Sequence, residues 1–586
     1  MKQLTYPIAV LLVLLTCIVS CNKKTTEGDS ANQATIYYGG DILTMEGDAP
    51  VYAEAIVSQN GKIVFVGAKQ EALDKYKEND TEIDLKGKTL VPAFLDGHGH
   101  FFNVGFTSMC ANILPAPDGP GTCFDSIVNT LNKYKDTEDG KYIIKKTEWI
   151  IGNGYDDSQL KELDHPTATD LDKVSTDVPV LIIHQSGHLG VLNSKGLELA
   201  GYTKDNHKVD GGVVRLDENG NPTGVLEEGA LFKVLFPILG KMDDEMSAKC
   251  IKKGQDEYAK MGYLTAQDGR TTLEQLASLK KGADENQYYL DVVAYPDIRL
   301  GLDSTSMDSY YTHDHTYKNR FRIGGAKLTL DGSPQGRTAW LTQCYHTNPT
   351  GIQGCYKGYE IIDNDEATEY VKEAYKNKWQ LLCHTNGDAA IDQYLNAIDE
   401  AQKTLNYNDH RTVMIHGQNL RKDQIPELVR LNIMPSLFPM HTYYWGDWHV
   451  QAIFGPKRGN YISPCRDVID AGLKITSHHD APVTFPNSMR VLDATVNRIS
   501  RNKNTIGADQ RISPYEGLKT LTDWAAYQYF EEDSKGTLTV GKLADFVILD
   551  QNPVTIEDTY KIFEIKILES IKEGKTVYKS TDSKQN

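Results

Sequence analysis

An α/β fold of eight parallel β/α units is what this sequence predicts, and three observations carry the prediction. Strand-like apolar runs alternate with helical stretches through the middle of the chain, the mark of parallel β/α repeats. Those runs end near His100, Asp268, Tyr295, Asp331, His384, His416, Ser436 and Asp480. Eight is the count of a (β/α)8 TIM barrel, in which working groups sit at the C-terminal ends of the strands. The two ends of the chain read instead as short strands with Asn and Gly turns, and predict a small β-sandwich-like domain built from both termini.

The chain has 586 residues, too many for one simple core and enough for two or three domains. Its hydrophobic (40%) and charged (24%) fractions are those of an ordinary globular protein. The formal net charge of -18 comes without a basic patch, which excludes a nucleic-acid partner.

Taken in order, Lys2 precedes an almost unbroken apolar run from Ala9 to Val19, too short to span a bilayer and of the length of a signal-peptide core. The run ends Ile18-Val19-Ser20-Cys21, which resembles the lipobox of bacterial lipoproteins. Residues 1–20 are therefore expected to be a leader. Cys21 would be a lipidated N-terminus at a membrane surface, and residues 21–33 a tether. Such a protein would work outside the cytoplasm, where disulfides are allowed. Of nine cysteines, seven lie beyond Cys17 and Cys21, and Cys110 with Cys123 and Cys344 with Cys355 are near enough in sequence to pair.

Residues 34–89 form the first part of the terminal β domain, with a hairpin turning at Asn60-Gly61 and a helix from Lys69 to Tyr76. Residues 90–530 form the barrel domain, interrupted at about 107–256 by an insertion with its own helices. Residues 531–586 complete the β domain, and a helix is expected from Pro514 to Phe530.

Candidate chemistry starts at Leu90 to His100, an apolar run ending in two histidines one residue apart. On an extended strand His98 and His100 face the same way, which makes half of a metal site. Lys327 lies in an apolar strand where an unpaired charge is costly. His384, His416 and Asp480 close later strands. Cys383 alternates away from His384 and takes no role. The aromatic stretch His441 to His449 suits a pocket wall. Asp331, Gln335 and Arg337 stand where substrate could be read, although Asp331-Gly332 also suits a plain turn.

These segments resemble the amidohydrolase superfamily, and within it the amidohydrolase 3 family, which includes N-substituted formamide deformylases and YtcJ-like enzymes. The similarity runs through Val91–His100, His188–Leu197, Asn219–Gly224, Lys327–Ala339, His384–Ala390, Asp480–Val483 and Gly541–Asp545, in family order. It implies a divalent metal centre, zinc first, of one or two ions. His98, His100 and Asp480 would hold one ion, and His384 and His416 a second. Lys327, carboxylated on its amine, would bridge the two. It further implies Asp480 as the proton-transferring base for a metal-activated hydroxide. Apart from the resemblance, His188 or His184 could polarise a substrate carbonyl, against a purely structural role for each. The sequence departs from the family at Ala93, at Thr385-Asn386 and at His478-His479, where Gly-Ser is usual.

The expected activity is hydrolysis of a non-peptide carbon–nitrogen bond of a small molecule: an amide, formamide, carbamate or cyclic imide. The alternatives are the same fold with a single metal, and a non-catalytic ligand-binding surface lipoprotein. No organic cofactor is assigned, and homodimerisation is left open.

Overall fold

The computed structural model describes residues 33–581 apart from 77–80, 210 and 350–351. The leader, Cys21 and the tether as far as residue 32 lie outside the described residues. Among the described residues no helix is long and apolar enough to cross a membrane.

Strands from both ends of the chain share one sheet. From the N-terminal side come Thr35–Leu43, Tyr52–Gln59, Lys62–Gly67, Thr81–Asp84 and Thr89–Pro92; from the C-terminal side come Phe546–Leu549, Ile567–Lys572 and Lys575–Lys579. The seam is the antiparallel pairing of Thr89–Pro92 with Phe546–Leu549, and Tyr37 meets Phe546 edge to face at 5.5 Å. The sequence predicted a sandwich; the hydrogen bonds make a single sheet. The Asn60-Gly61 turn forms as its residues require: Gln59 pairs with Lys62, and both turn residues have positive φ (53° and 76°). The helix after it is Lys69–Lys75.

The apolar run leading to His98 is not one strand. Thr89–Pro92 belongs to the terminal sheet, while Phe94–Leu95 opens the parallel set beside Tyr263–Thr271. Pro92 has no N–H to continue a ladder, and the Ala93 N–H turns to the Asp545 carbonyl (2.9 Å). The handover between the two sheets therefore falls at Ala93.

The parallel strands follow the predicted order. Phe94–Leu95, Tyr263–Thr271, Asp291–Pro296 and Phe321–Ile323 form one arc; Gly325–Thr329, Gln380–Thr385, Val413–His416, Met434–Leu437 and Thr476–Ser477 form the other. Phe321–Ile323 and Gly325–Thr329 are two halves of one segment split at Gly324, where a Cβ would come within 2.4 Å of the Tyr295 ring. Asp297 bridges to Lys327 across that split, and the Asp480 N–H reaches the His98 carbonyl (3.1 Å) between the last segment and the first. This is an α/β fold of the TIM-barrel type.

The insertion carries a sheet of its own. Seven strands run from Ala111–Asn112 to Pro222–Glu228, packed on Ile127, Leu131 and Leu171. The expected helix over 514–530 is two, Pro514–Lys519 and Asp523–Gln528, because the Leu521 carbonyl between them accepts the Leu95 N–H (2.9 Å). Cys344 and Cys355 form a disulfide, whereas Cys110 and Cys123 are free. Cys110 is buried in the main core, its thiol on the Phe106 carbonyl (3.5 Å), which corrects that pairing.

His100 caps the helix Phe101–Thr107, which packs on Asp244–Lys260 with no room for a side chain: a Cβ on Gly105 would lie 1.9 Å from the Cys250 carbonyl oxygen. Gly105→Ala is expected to force the helices apart, cost about 1–3 kcal/mol and lower the thermal midpoint. An unchanged midpoint would contradict this packing.

Candidate metal centre and active site

The mouth of the parallel strands gathers His98, His100, Lys327, His384, His416 and Asp480. His98 and Lys327 are almost fully buried, with Nε2 and Nζ 3.0 Å apart. His98 Nε2 is 3.4 Å, and His100 Nε2 3.1 Å, from Asp480 Oδ1. His416 Nε2 is 3.0 Å from His384 Nδ1 and 3.9 Å from Asp480 Oδ2. The backbone, not strand alternation, aims the first pair: the His98 N–H donates to Asp96 Oδ1 (3.0 Å) and the His100 N–H to the Ala481 carbonyl (2.8 Å). His416 and Asp480 sit at φ of 74° and 54°, left-handed positions that cost a non-glycine residue about 1–3 kcal/mol.

The outer nitrogens fix where the protons are. Gln267 Nε2 donates to the Tyr529 hydroxyl (2.7 Å), so its Oε1 faces His98 Nδ1 (2.6 Å) and takes the proton there. His384 Nε2 lies 3.1 Å from the Gly332 carbonyl, which only accepts, and 3.1 Å from Asn386 Nδ2, which itself donates to that carbonyl (3.0 Å); we place the His384 proton on Nε2. His416 Nδ1 donates to His478 Nε2 (3.1 Å), His478 Nδ1 to Ser436 Oγ (2.9 Å), and Ser436 to the Gly97 carbonyl (3.3 Å). These assignments leave the lone pairs of His98 Nε2, His384 Nδ1 and His416 Nε2 pointing inward. Two of them face each other at 3.0 Å, a repulsion that a cation removes.

The electrostatics agree. Burial holds His98, His384, His416 and His478 well below the usual imidazole range, with the Lys327 charge adding to it. Burial also pulls the Lys327 amine down to about 7, against the opposing charge of Asp480. Ligand atoms about 2.0–2.2 Å from a tetrahedral ion lie about 3.3–3.6 Å from one another. Neutral imidazoles, a carboxylate and a neutral amine spaced at 3.0–3.9 Å are a donor set that suits a divalent metal.

Other expected residues take different places. Asp331 is buried and accepts the N–H groups of Asn386, Gly387 and Trp340 (2.7–3.0 Å), pinning the loop after His384 rather than reading substrate. His479 turns away toward Asp96 Oδ1 (3.2 Å), while His478 serves in the relay behind His416. His188 holds Glu228 through Nδ1 (3.0 Å). Burial opposes its charge, but Glu228 outweighs that and keeps its pKa raised. His184 Nε2 is paired with Asp157 (3.0 Å). A cavity of about 100 Å³ is lined by His184, His188, Gln335, Arg337, Trp445 and Trp448 among others, so the helix Met440–Trp448 does wall a pocket. Gln267, Ser436 and Tyr529 escaped the sequence reading; they lie on separate elements and carry no local pattern.

Residues 81–578 match the amidohydrolase family, and the chain belongs to it. It is 26% identical over 569 residues to YtcJ of Bacillus subtilis (strain 168), covering 93% of this chain and 99% of that one. It is 23% identical over 554 residues to the N-substituted formamide deformylase of Arthrobacter pascens, covering 91% and 96%. Among solved structures, an uncharacterized metal-dependent hydrolase from Pyrococcus furiosus aligns with a TM-score of 0.68 at 25% identity, over 89% of this chain and all of that one. Its counterpart from Pyrococcus horikoshii OT3 shares the fold with a TM-score of 0.70. Hydrolase relatives and the converging donor set together support a divalent metal.

The lysine gives a pH test in metal-free protein. Below about pH 7 the folded and unfolded chains both hold the Lys327 proton, and the cost of burying the ammonium is fully present. Between about 7 and 10.5 only the unfolded chain holds it, so stability rises with pH; above that the cost is gone. Lys327→Met should therefore stabilise the chelated protein by up to about 5 kcal/mol at pH 6 and by little at pH 10. Paired denaturant melts check this, and a gap that does not close with pH counts against a buried neutral amine.

Proposed function

We propose that this chain is a metal-dependent hydrolase that cleaves a non-peptide carbon–nitrogen bond of a small molecule. The observation that carries the proposal is the set of inward lone pairs around Asp480, each fixed by an outward hydrogen bond. A binding protein has no need of such a set. We read the two parallel arcs as one (β/α)8 barrel with the terminal sheet as a second domain, and the whole as a lipoprotein held outside the cytoplasm through Cys21.

In this reading His98, His100 and Asp480 would hold one ion and His384 and His416 a second, with Lys327, once carboxylated, as a ligand they would share. An amine brought down to about 7 is neutral often enough to add carbon dioxide and become a carbamate. Bound divalent ions, zinc being the first candidate, would polarise the scissile carbonyl and lower the pKa of a water from ~16 toward ~7. Asp480 takes the proton of the attacking water and returns it to the leaving amine. His188, braced by Glu228, steadies the substrate carbonyl from the cavity side. The relative named for N-substituted formamides puts that class first on a substrate panel.

A single-ion reading has its own support: ligand atoms of His98, His416 and Asp480, drawn from both proposed sets, all lie within 4.8 Å of one another. Metal counting separates the two. Two equivalents per chain in wild type, falling in His384→Ala and Lys327→Met, favour the bridged pair; one equivalent throughout favours the single ion. Asp480→Asn should lower kcat by about 10²–10⁴-fold on a panel of formamides, N-acyl amines and cyclic imides. Metal-loaded wild-type protein that turns over no member of that panel would overturn the hydrolase assignment.

A further inference from the structure

The cavity beside the metal centre is bounded by the insertion on one side and by the loop after Lys327 on the other. Its wall is continuous with the site: Ser333 follows Gly332, whose carbonyl accepts the His384 proton. The lining is dense in charge, and its bookkeeping is uneven. Glu227 is paired with Arg215 (2.6 Å) and Glu228 with His188 (3.0 Å). Asp157 is paired with His184 (3.0 Å). Asp156 accepts the Trp445 indole N–H (2.9 Å) and the Ser158 hydroxyl (2.7 Å). Three of the four lining acids thus have an ion-pair partner within the protein, and Asp156 has neutral donors with His184 at 3.7 Å.

Arg337 is the exception. Among the described residues no carboxylate lies within ion-pair distance of its guanidinium. It is held from behind, Nε donating to the Thr347 carbonyl (3.0 Å) and Nη2 to the Thr347 hydroxyl (2.9 Å), and its Cζ lies 5.0 Å from the Trp448 ring centroid. A guanidinium fixed at one edge and lying over an indole loses little freedom when it meets an anion. Nearby, the Ser333 hydroxyl and Gln335 Oε1 are enclosed without a protein partner. Of these two only the Ser333 hydroxyl can donate, so it is the one that could meet an anion beside Arg337.

We infer that this cavity is an anion subsite, and that the molecules the centre acts on carry a carboxylate or similar negative group that pairs with Arg337 while the carbon–nitrogen bond lies at the metals. Arg337 is thereby a specificity residue. The fate of the ligand rests on the hydrolase reading above; the sign of its charge does not.

The test uses the metal-loaded full chain and a matched pair of probes, racemic N-formylphenylalanine and N-formylphenethylamine, which differ only in a carboxylate. Binding is measured by calorimetry and turnover by amine release. Wild type should bind the carboxylate probe at least ten-fold more tightly. Arg337→Gln should abolish that preference and leave the affinity for the neutral probe within about two-fold, and Arg337→Lys should restore part of it, since a point charge keeps attraction but loses the fork. Equal binding of both probes by wild type overturns the inference. So does an Arg337→Gln variant that keeps the preference, because the carboxylate is then held elsewhere, or one that loses both probes equally, because Arg337 is then structural. Preferential binding without turnover upholds the subsite and counts against the hydrolase assignment, so the two failures are distinguishable.

Discussion

The structure depends on how three imidazoles are oriented. A histidine presents a lone pair to a metal only if its proton is held at the other nitrogen, and here each outward proton has a partner. Gln267 takes that of His98, the Gly332 carbonyl that of His384, and His478, backed by Ser436, that of His416. These partners come from distant elements, so the centre ties the parallel strands to one another as well as offering a place for an ion. The same arrangement leaves like dipoles facing inward without a cation, and His416 and Asp480 on strained backbone. Stability is given up locally for a fixed geometry, as active sites commonly do.

Burial sets the protonation of the centre. Imidazoles that stay neutral and an amine brought down to about 7 are the forms in which these groups can ligate or react, and enclosure by apolar strands is the largest influence on each. The histidines at the site of the family's usual Gly-Ser fit the same scheme. His478 extends the relay behind His416, and His479 lies under the floor near Asp96. Neither competes for the inward-facing position.

The insertion gives the site its second wall. Its sheet brings acids and histidines to the cavity already matched in pairs, while the loop after Lys327 brings an arginine that is unmatched. The mouth of the parallel strands gathers the ligand-type groups, and the sheet of the insertion sets the charges of the cavity beside them.

Strand order and the Asn60-Gly61 hairpin were legible in the sequence through short-range patterns, alternation of strand and helix and turn chemistry; that six ligand-type residues share one site was read from the resemblance to the amidohydrolases, since the residues alone gave only the His98 and His100 pair. The split at Ala93 was half legible through Pro92, which cannot donate to a ladder. The Cys110–Cys123 pairing failed because nearness in sequence says nothing about a thiol drawn into the core. Only the tertiary structure decided that Gln267, Ser436 and Tyr529 orient the histidines, that Asp331 holds a loop, and that Arg337 faces its cavity with no carboxylate in ion-pair contact. Hydrogen bonds and ion pairs between residues hundreds of positions apart leave no trace in local periodicity; they exist once the strands are closed against one another.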